Sequence, residues 1–179
     1  VSPELHTIPW DPVAAEKGEY RHFMQKEIHE QVRAITDTIS GRVDFSAGAV
    51  FLPDLHLTEA AARTINRIVI TGCGTASHAG MVGKVLIEAL ARVPVEVSIA
   101  SEFRYADPIV DENTVLLAIS QSGETADTLA AMAEGGERGA TLWSIVNVIG
   151  SQAMRMAAGF IPMQAGPEIG VASTKAFTT

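Results

Sequence analysis

The chain has 179 residues, a net charge of −8, 47% hydrophobic residues and 19% charged ones. That length buries one core of ordinary domain size, and that composition excludes a disordered chain. The acidic balance excludes nucleic acid as a partner, because neutralising phosphates takes stripes of Lys and Arg that are absent here, and no apolar run is long enough to cross a membrane. The single Cys73 excludes an internal disulfide and fits a reducing cytoplasm. His6, His22, His29, His56 and His78 are scattered, so neither a metal site nor another cofactor is expected. The first residues carry no basic stretch followed by an apolar one, so no signal peptide is expected.

Residues 1–17, with Pro3, Pro9 and Pro12, read as an irregular arm. Over 19–39 the apolar residues Tyr20, Phe23, Met24, Ile28, Val32, Ile35 and Ile39 step by threes and fours. That spacing predicts a helix with one stripe for core or partner packing, ended by Gly41. Residues 44–57 read as a loop around Pro53, and Thr58 is a good N-cap for an Ala-rich helix. Residues 1–66 therefore form an arm and helices leading into a domain over 67–179.

From Arg67 strands and helices alternate. Strands are predicted near 67–71, 95–99, 114–119, 140–146 and 159–163, and helices near 76–92, 124–138 and 150–157, with a turn over 101–106. Alternation of this kind makes a parallel sheet with helices on both faces, joined by right-handed crossovers. The fold class is α/β: a three-layer α-β-α sandwich on a parallel five-stranded sheet, preceded by an N-terminal helical extension.

Two loops at the carboxyl ends of predicted strands carry the chemistry. The first is Gly72-Cys73-Gly74-Thr75-Ala76-Ser77, whose glycines permit a sharp turn and close approach of backbone to a ligand. The position three after Gly74 is Ser77, and no acidic residue ends the next strand, so a dinucleotide fingerprint fits poorly. The second is Ser120-Gln121-Ser122-Gly123-Glu124-Thr125, where a buried strand empties into a helix start. Hydroxyls and orphan amide N–H groups meet there, and the helix dipole attracts an anion without a lysine. Glu124 opposes that field and is read as a cap on the outside of the helix start. Two hydroxyl-rich loops in the crevice above parallel strands suit a monosaccharide phosphate.

Four motifs stand in order: Cys73-Gly74-Thr75, the run from Ala100 to Tyr105, Ser120-Gln121-Ser122-Gly123-Glu124-Thr125-Ala126-Asp127-Thr128, and Glu168-Ile169-Gly170-Val171-Ala172-Ser173-Thr174-Lys175-Ala176-Phe177. With the upstream stretch from Tyr20 to Ile28, they resemble the first sugar-isomerase (SIS) domain of the glutamine:fructose-6-phosphate aminotransferase family. The resemblance implies a flavodoxin- or Rossmann-like SIS fold and a role in making glucosamine 6-phosphate from fructose 6-phosphate and glutamine. It implies that Ser120, Gln121, Ser122 and Thr125 hold the phosphate, with Thr75 beside the sugar and Val171 and Ser173 lining it. A serine often follows Cys-Gly-Thr in that family; here the residue is Ala76, and Ser77 points elsewhere on the helix.

The family's glutaminase domain and second SIS domain are the implied partners within a longer chain, and a homodimer in the cytoplasm is the implied assembly. The chain halts within a motif that opens a helix, so it reads as truncated at its C-terminal end. No catalytic residue is assigned, because the family's base, ring-opening histidine and Schiff-base lysine belong to the second repeat and the tail. The fragment is expected to bind sugar phosphate without turning it over. Another SIS-domain ketose–aldose isomerase, an amino-sugar deaminase or deglycase, and a non-enzymatic sugar-phosphate sensor are the alternatives.

Remaining polar residues are read individually. Cys73 is a small wall residue of the first loop. Lys175 reaches an anion or sits solvated at a helix start. Glu102 pairs with Arg104 near the crevice. His78 is partly exposed at an interface, and His22 and His29 share a helix side without making a metal site.

Overall fold

The computed structural model describes residues 15–179, so most of the predicted arm lies outside the described residues. Helix α1 (Phe23–Ile39) comes first, then strands β1 (Val43–Asp44) and β2 (Ala49–Val50), a 3-10 turn at Pro53–Leu55, and helix α2 (Glu59–Thr64). The alternating unit follows: β3 (Arg67–Gly72), α3 (Thr75–Leu90), β4 (Val95–Ile99), α4 (Ala100–Phe103), β5 (Thr114–Ser120) and α5 (Ala126–Glu137). It closes with β6 (Thr141–Val146), α6 (Gln152–Met156), β7 (Gly159–Pro162) and α7 (Lys175–Thr178).

The five long strands form one parallel sheet in the order β4-β3-β5-β6-β7. The α/β sandwich expected from the alternation is therefore present, with each strand within two residues of its expected ends. Central β5 is apolar from Val115 to Ile119 because both its faces are covered: Val115, Leu116, Ala118 and Ile119 are all buried. Period-two alternation splits the core. Ile68, Ile70, Val95 and Val115 face the layer holding α1, α3 and α7, with Ala34, Ile87 and Ala176 packed on them. Val69, Leu116, Ala118 and Val146 face the layer of α4, α5 and α6, against Phe103, Ala131, Met132 and Ala153. Burying one such side chain fully contributes about 1.5–3 kcal/mol.

Thr58 caps α2 as expected, accepting the Ala61 N–H at 3.1 Å. The 44–57 loop is more structured than its sequence indicates. It holds the β1–β2 hairpin, whose turn is fixed by Asp44 accepting from the Ser46 and Ala47 N–H groups at 2.9 and 3.0 Å.

Helix α1 is present as expected but does not spend its apolar stripe on the core. It starts at Phe23, and its apolar stripe faces away from the core: Met24 is 38% exposed, Ile28 47% and Val32 78%. The buried side is Glu27, Ala34 and Thr38. Hydrogen bonds decide this orientation. Thr38 Oγ1 donates within reach of the carbonyls of Ala34 and Met163, and Glu27 binds backbone amides described below. Among the described residues no helix is long and apolar enough to cross a membrane.

Candidate functional site: a hydroxyl-lined cleft at the switch point of the sheet

Chain order reverses beside β3. Its neighbour on one side is the next strand, β4, and on the other it is β5. Loops leaving β3 and β5 therefore diverge to opposite faces and leave a crevice between them, where open α/β sheets bind ligands. A cleft of about 210 Å³ lies there. Cys73, Thr75 and Ala76 line it from the β3 loop, and Ser120, Gln121, Ser122 and Thr125 from the β5 loop. Gly170, Val171 and Ser173 close the far side. All seven residues singled out in the sequence thus share one cavity.

The β3 loop turns at Gly74 (φ 56°), and Thr75 opens the 16-residue α3. Ser77 is buried and spends its hydroxyl on the Gly74 carbonyl at 2.7 Å, so it does not replace the missing serine at Ala76.

The β5 loop is braced by its own serines. Ser120 Oγ accepts the Gly123 N–H at 3.0 Å and lies 3.4 Å from Thr125 Oγ1, and Ser122 Oγ accepts the Glu124 N–H at 3.2 Å. Two of the amides expected to bind a ligand are therefore satisfied internally. In exchange, each serine is oriented with its own O–H proton left to donate. Gly123 makes the turn at φ +66°, with no room for a side chain. Thr125 stands at the N-cap position of the 12-residue α5 with no side-chain cap bond, so the positive ends of two helices meet at one cleft.

Glu124 does not cap α5. Its Oε1 accepts the Gln152 N–H at 2.8 Å at the start of α6. The carboxylate is thus turned toward another helix end that is short of acceptors. The expected Glu102–Arg104 pair is also absent. Arg104 bonds Asp127 at 2.9 Å and stacks on the Tyr105 ring, because Asp127 in the first turn of α5 lies across the α4–α5 contact. Cys73 lines the cleft as expected, its sulfur 4.0 Å from Thr128 Oγ1. His78 is exposed, and His29 stacks on Tyr20.

Lys175 meets neither expectation. It is 3% exposed and bonds Glu30 of α1 at 2.7 Å. Sequence reasoning also missed how the far wall is held. Glu168 accepts from Ser173 Oγ at 3.0 Å and from the N–H groups of Thr174 and Ala176 at 2.9 and 3.2 Å. Its oxygens are occupied by the chain itself, which makes it a brace rather than a free base. Asn147, at the end of β6, clips the approach to this wall by bonding Ala165 N–H at 2.9 Å and the Gly166 carbonyl at 2.7 Å. The one sequence signal for the wall was Glu27 at the i, i+7, i+11 spacing with the small residues Ala34 and Thr38.

Residues 63–179 match the family model described as the SIS domain. This chain belongs to the SIS domain family. Over all 179 residues it is 51% identical to glutamine–fructose-6-phosphate aminotransferase (isomerizing) of Symbiobacterium thermophilum, and 52% identical to the enzyme so named of Clostridium acetobutylicum. It spans only 29% of the length of either relative. Among solved structures it resembles the C-terminal domain of glucosamine-fructose-6-phosphate aminotransferase from Francisella tularensis. The TM-score is 0.81 at 40% identity, covering 91% of this chain and 45% of that one. The SIS domain and its relatives named in the sequence are thus those found by comparison.

Proposed function

We propose that this chain is the phosphosugar-binding first SIS domain of a glutamine:fructose-6-phosphate aminotransferase, the enzyme that makes glucosamine 6-phosphate for amino-sugar synthesis. The observation that carries the reading is similarity of about half of all positions across the whole chain to enzymes of that name. The cleft agrees with it chemically: hydroxyl donors and two helix N-termini suit a phosphate ester, and Thr75 with Ser173 on the far wall adds hydroxyls within the same cavity for a sugar.

In this reading Ser120, Gln121, Ser122 and Thr125 hold the phosphate of fructose 6-phosphate or glucosamine 6-phosphate, with Thr75 beside the sugar and Val171 and Ser173 along it. Anchoring the phosphate at the braced loop fixes the distance to the reacting carbons, so binding energy from a non-reacting group orients the reactive end. Proton transfer between adjacent carbons needs a positioned base. We assign none on this chain and place it in the second SIS domain of the whole enzyme. Residues 67–179 are the domain proper and 1–66 its lead-in. A glutaminase domain, homodimer assembly and the cytoplasm complete the proposal.

Titrating fructose 6-phosphate while following backbone amide resonances tests it. Shifts centred on residues 120–125 and at Thr75 are expected, and shifts confined to other surfaces overturn it.

A further inference from the structure

The far wall of the cleft contains a side chain with nothing to lean on. Val171 is fully exposed, so packing cannot decide where it stands. Its position must come from the backbone on either side. On one side Glu168 gathers Ser173 and Thr174. On the other side a carboxylate arrives from far away in sequence. Glu27 of α1 is 2% exposed, and its Oε1 accepts the N–H groups of Ile169 and Gly170 at 2.6 and 3.1 Å. Its Oε2 also lies 3.1 Å from the Gly170 nitrogen.

Burying a carboxylate is costly unless its oxygens are bonded, and an apolar side chain would dock a helix at lower cost. Here the apolar side chains of α1 point outward while Glu27, Ala34 and Thr38 face the domain. The charge is therefore spent on directing two successive amides. Gly170 fits this arrangement sterically. A Cβ there would come within 2.5 Å of Glu27 Oε2 and 3.6 Å of the Met24 Cα.

We propose that Glu27 is a positioning residue for the sugar end of the cleft: it fixes the 169–170 backbone and thereby the placement of Val171 and Ser173, without touching the phosphate loop. The proposal rests on the phosphosugar reading. It extends that site to the helix preceding the SIS domain proper.

The test titrates the 179-residue chain and its Glu27→Gln and Glu27→Leu variants with fructose 6-phosphate and, separately, with inorganic phosphate. Affinity for fructose 6-phosphate should fall at least about tenfold in Glu27→Leu, as lost charge-assisted bonds imply, and less in Glu27→Gln, which keeps one acceptor. Inorganic phosphate should bind all three alike, since the 120–125 loop is untouched. Gly170→Ala pushes on the same contact from the loop side and should show the same selective loss, which covers a Glu27→Leu chain that fails to fold. Unchanged sugar-phosphate affinity overturns the proposal. So does a parallel loss of both ligands, which would mark Glu27 as merely stabilising. A wild-type chain that binds inorganic phosphate and fructose 6-phosphate equally removes the phosphosugar reading as well. Wild-type preference for the sugar retained in the variants removes Glu27 alone.

Discussion

Lys175 Nζ lies 2.7 Å from Glu30 Oε2, joining the first turn of α7 to the middle of α1 across a distance of 145 residues in sequence. Glu30 also lies 3.3 Å from Lys26. Burial pushes the Glu30 carboxyl up, but the hydrogen bond and charge of Lys175, then those of Lys26, outweigh it and hold the group below its ordinary 4.5.

A pH dependence follows. With its folded value depressed, Glu30 binds fewer protons in the native state than in the unfolded chain. Its stabilisation is complete above 4.5 and is lost as pH falls through the folded value. Denaturant unfolding across the acid range should show Glu30→Gln losing less stability on acidification than wild type. Equal slopes would refute the role.

Removing either partner should be unequal in cost. Glu30→Gln leaves the buried Lys175 ammonium short of its counter-charge and should destabilise by about 2–3 kcal/mol. Lys175→Met leaves Glu30 with Lys26 and partial exposure, so it should cost less. Urea midpoints at neutral pH compare the two.

The phosphate loop yields a prediction about binding. Ser122→Ala and Thr125→Ala should each weaken fructose 6-phosphate by about 1.5–3 kcal/mol. Ser120→Ala should in addition lower stability by about 1–2 kcal/mol, because it strands the Gly123 N–H that Ser120 now satisfies. Calorimetry for affinity and unfolding for stability separate these effects.

Gly123→Ala should be the most damaging single change in that loop. The new Cβ would fall 2.2 Å from Ser151 Oγ and 2.5 Å from its Cβ, at a φ of +66°. A cost of about 2 kcal/mol or more is expected. Adding Ser151→Gly should recover the steric share and leave the backbone share. A double mutant no more stable than Gly123→Ala would contradict that division.

Glu124→Gln separates two effects of opposite sign. Removing a negative charge beside the phosphate loop should strengthen anion binding by about twofold. Weakening the bond to the Gln152 N–H should lower stability by about 0.5–1 kcal/mol. Affinity and stability moving together would show that the carboxylate does not oppose the anion.

Strand placement, sheet class and the two ligand loops were legible in the sequence because each is set by local pattern. Val115, Leu116, Ala118 and Ile119 must be buried wherever they stand, and Gly123 followed by a helix start encodes a turn by backbone sterics alone. The bracing of the far wall was not legible. Glu27, Glu30 and Lys175 are ordinary surface residues by composition, and their partners are amides or charges reached only through the fold, whereas Glu168 holds groups five to eight residues on in an irregular loop that carries no periodicity to read.

The orientation of α1 shows the same division. Periodicity established that the helix has an apolar stripe, but periodicity cannot say which side of a helix is docked when polar bonds compete with packing. What the sequence determined by itself was the alternation of strands and helices and the hydroxyl-rich chemistry at their junctions, since these depend on near neighbours. The tertiary structure alone decided that Glu27 and Lys175 are buried, what each one holds, and that all seven marked residues border one cleft, because the first two outcomes join residues 142 and 145 positions apart and the third brings three separate loops together.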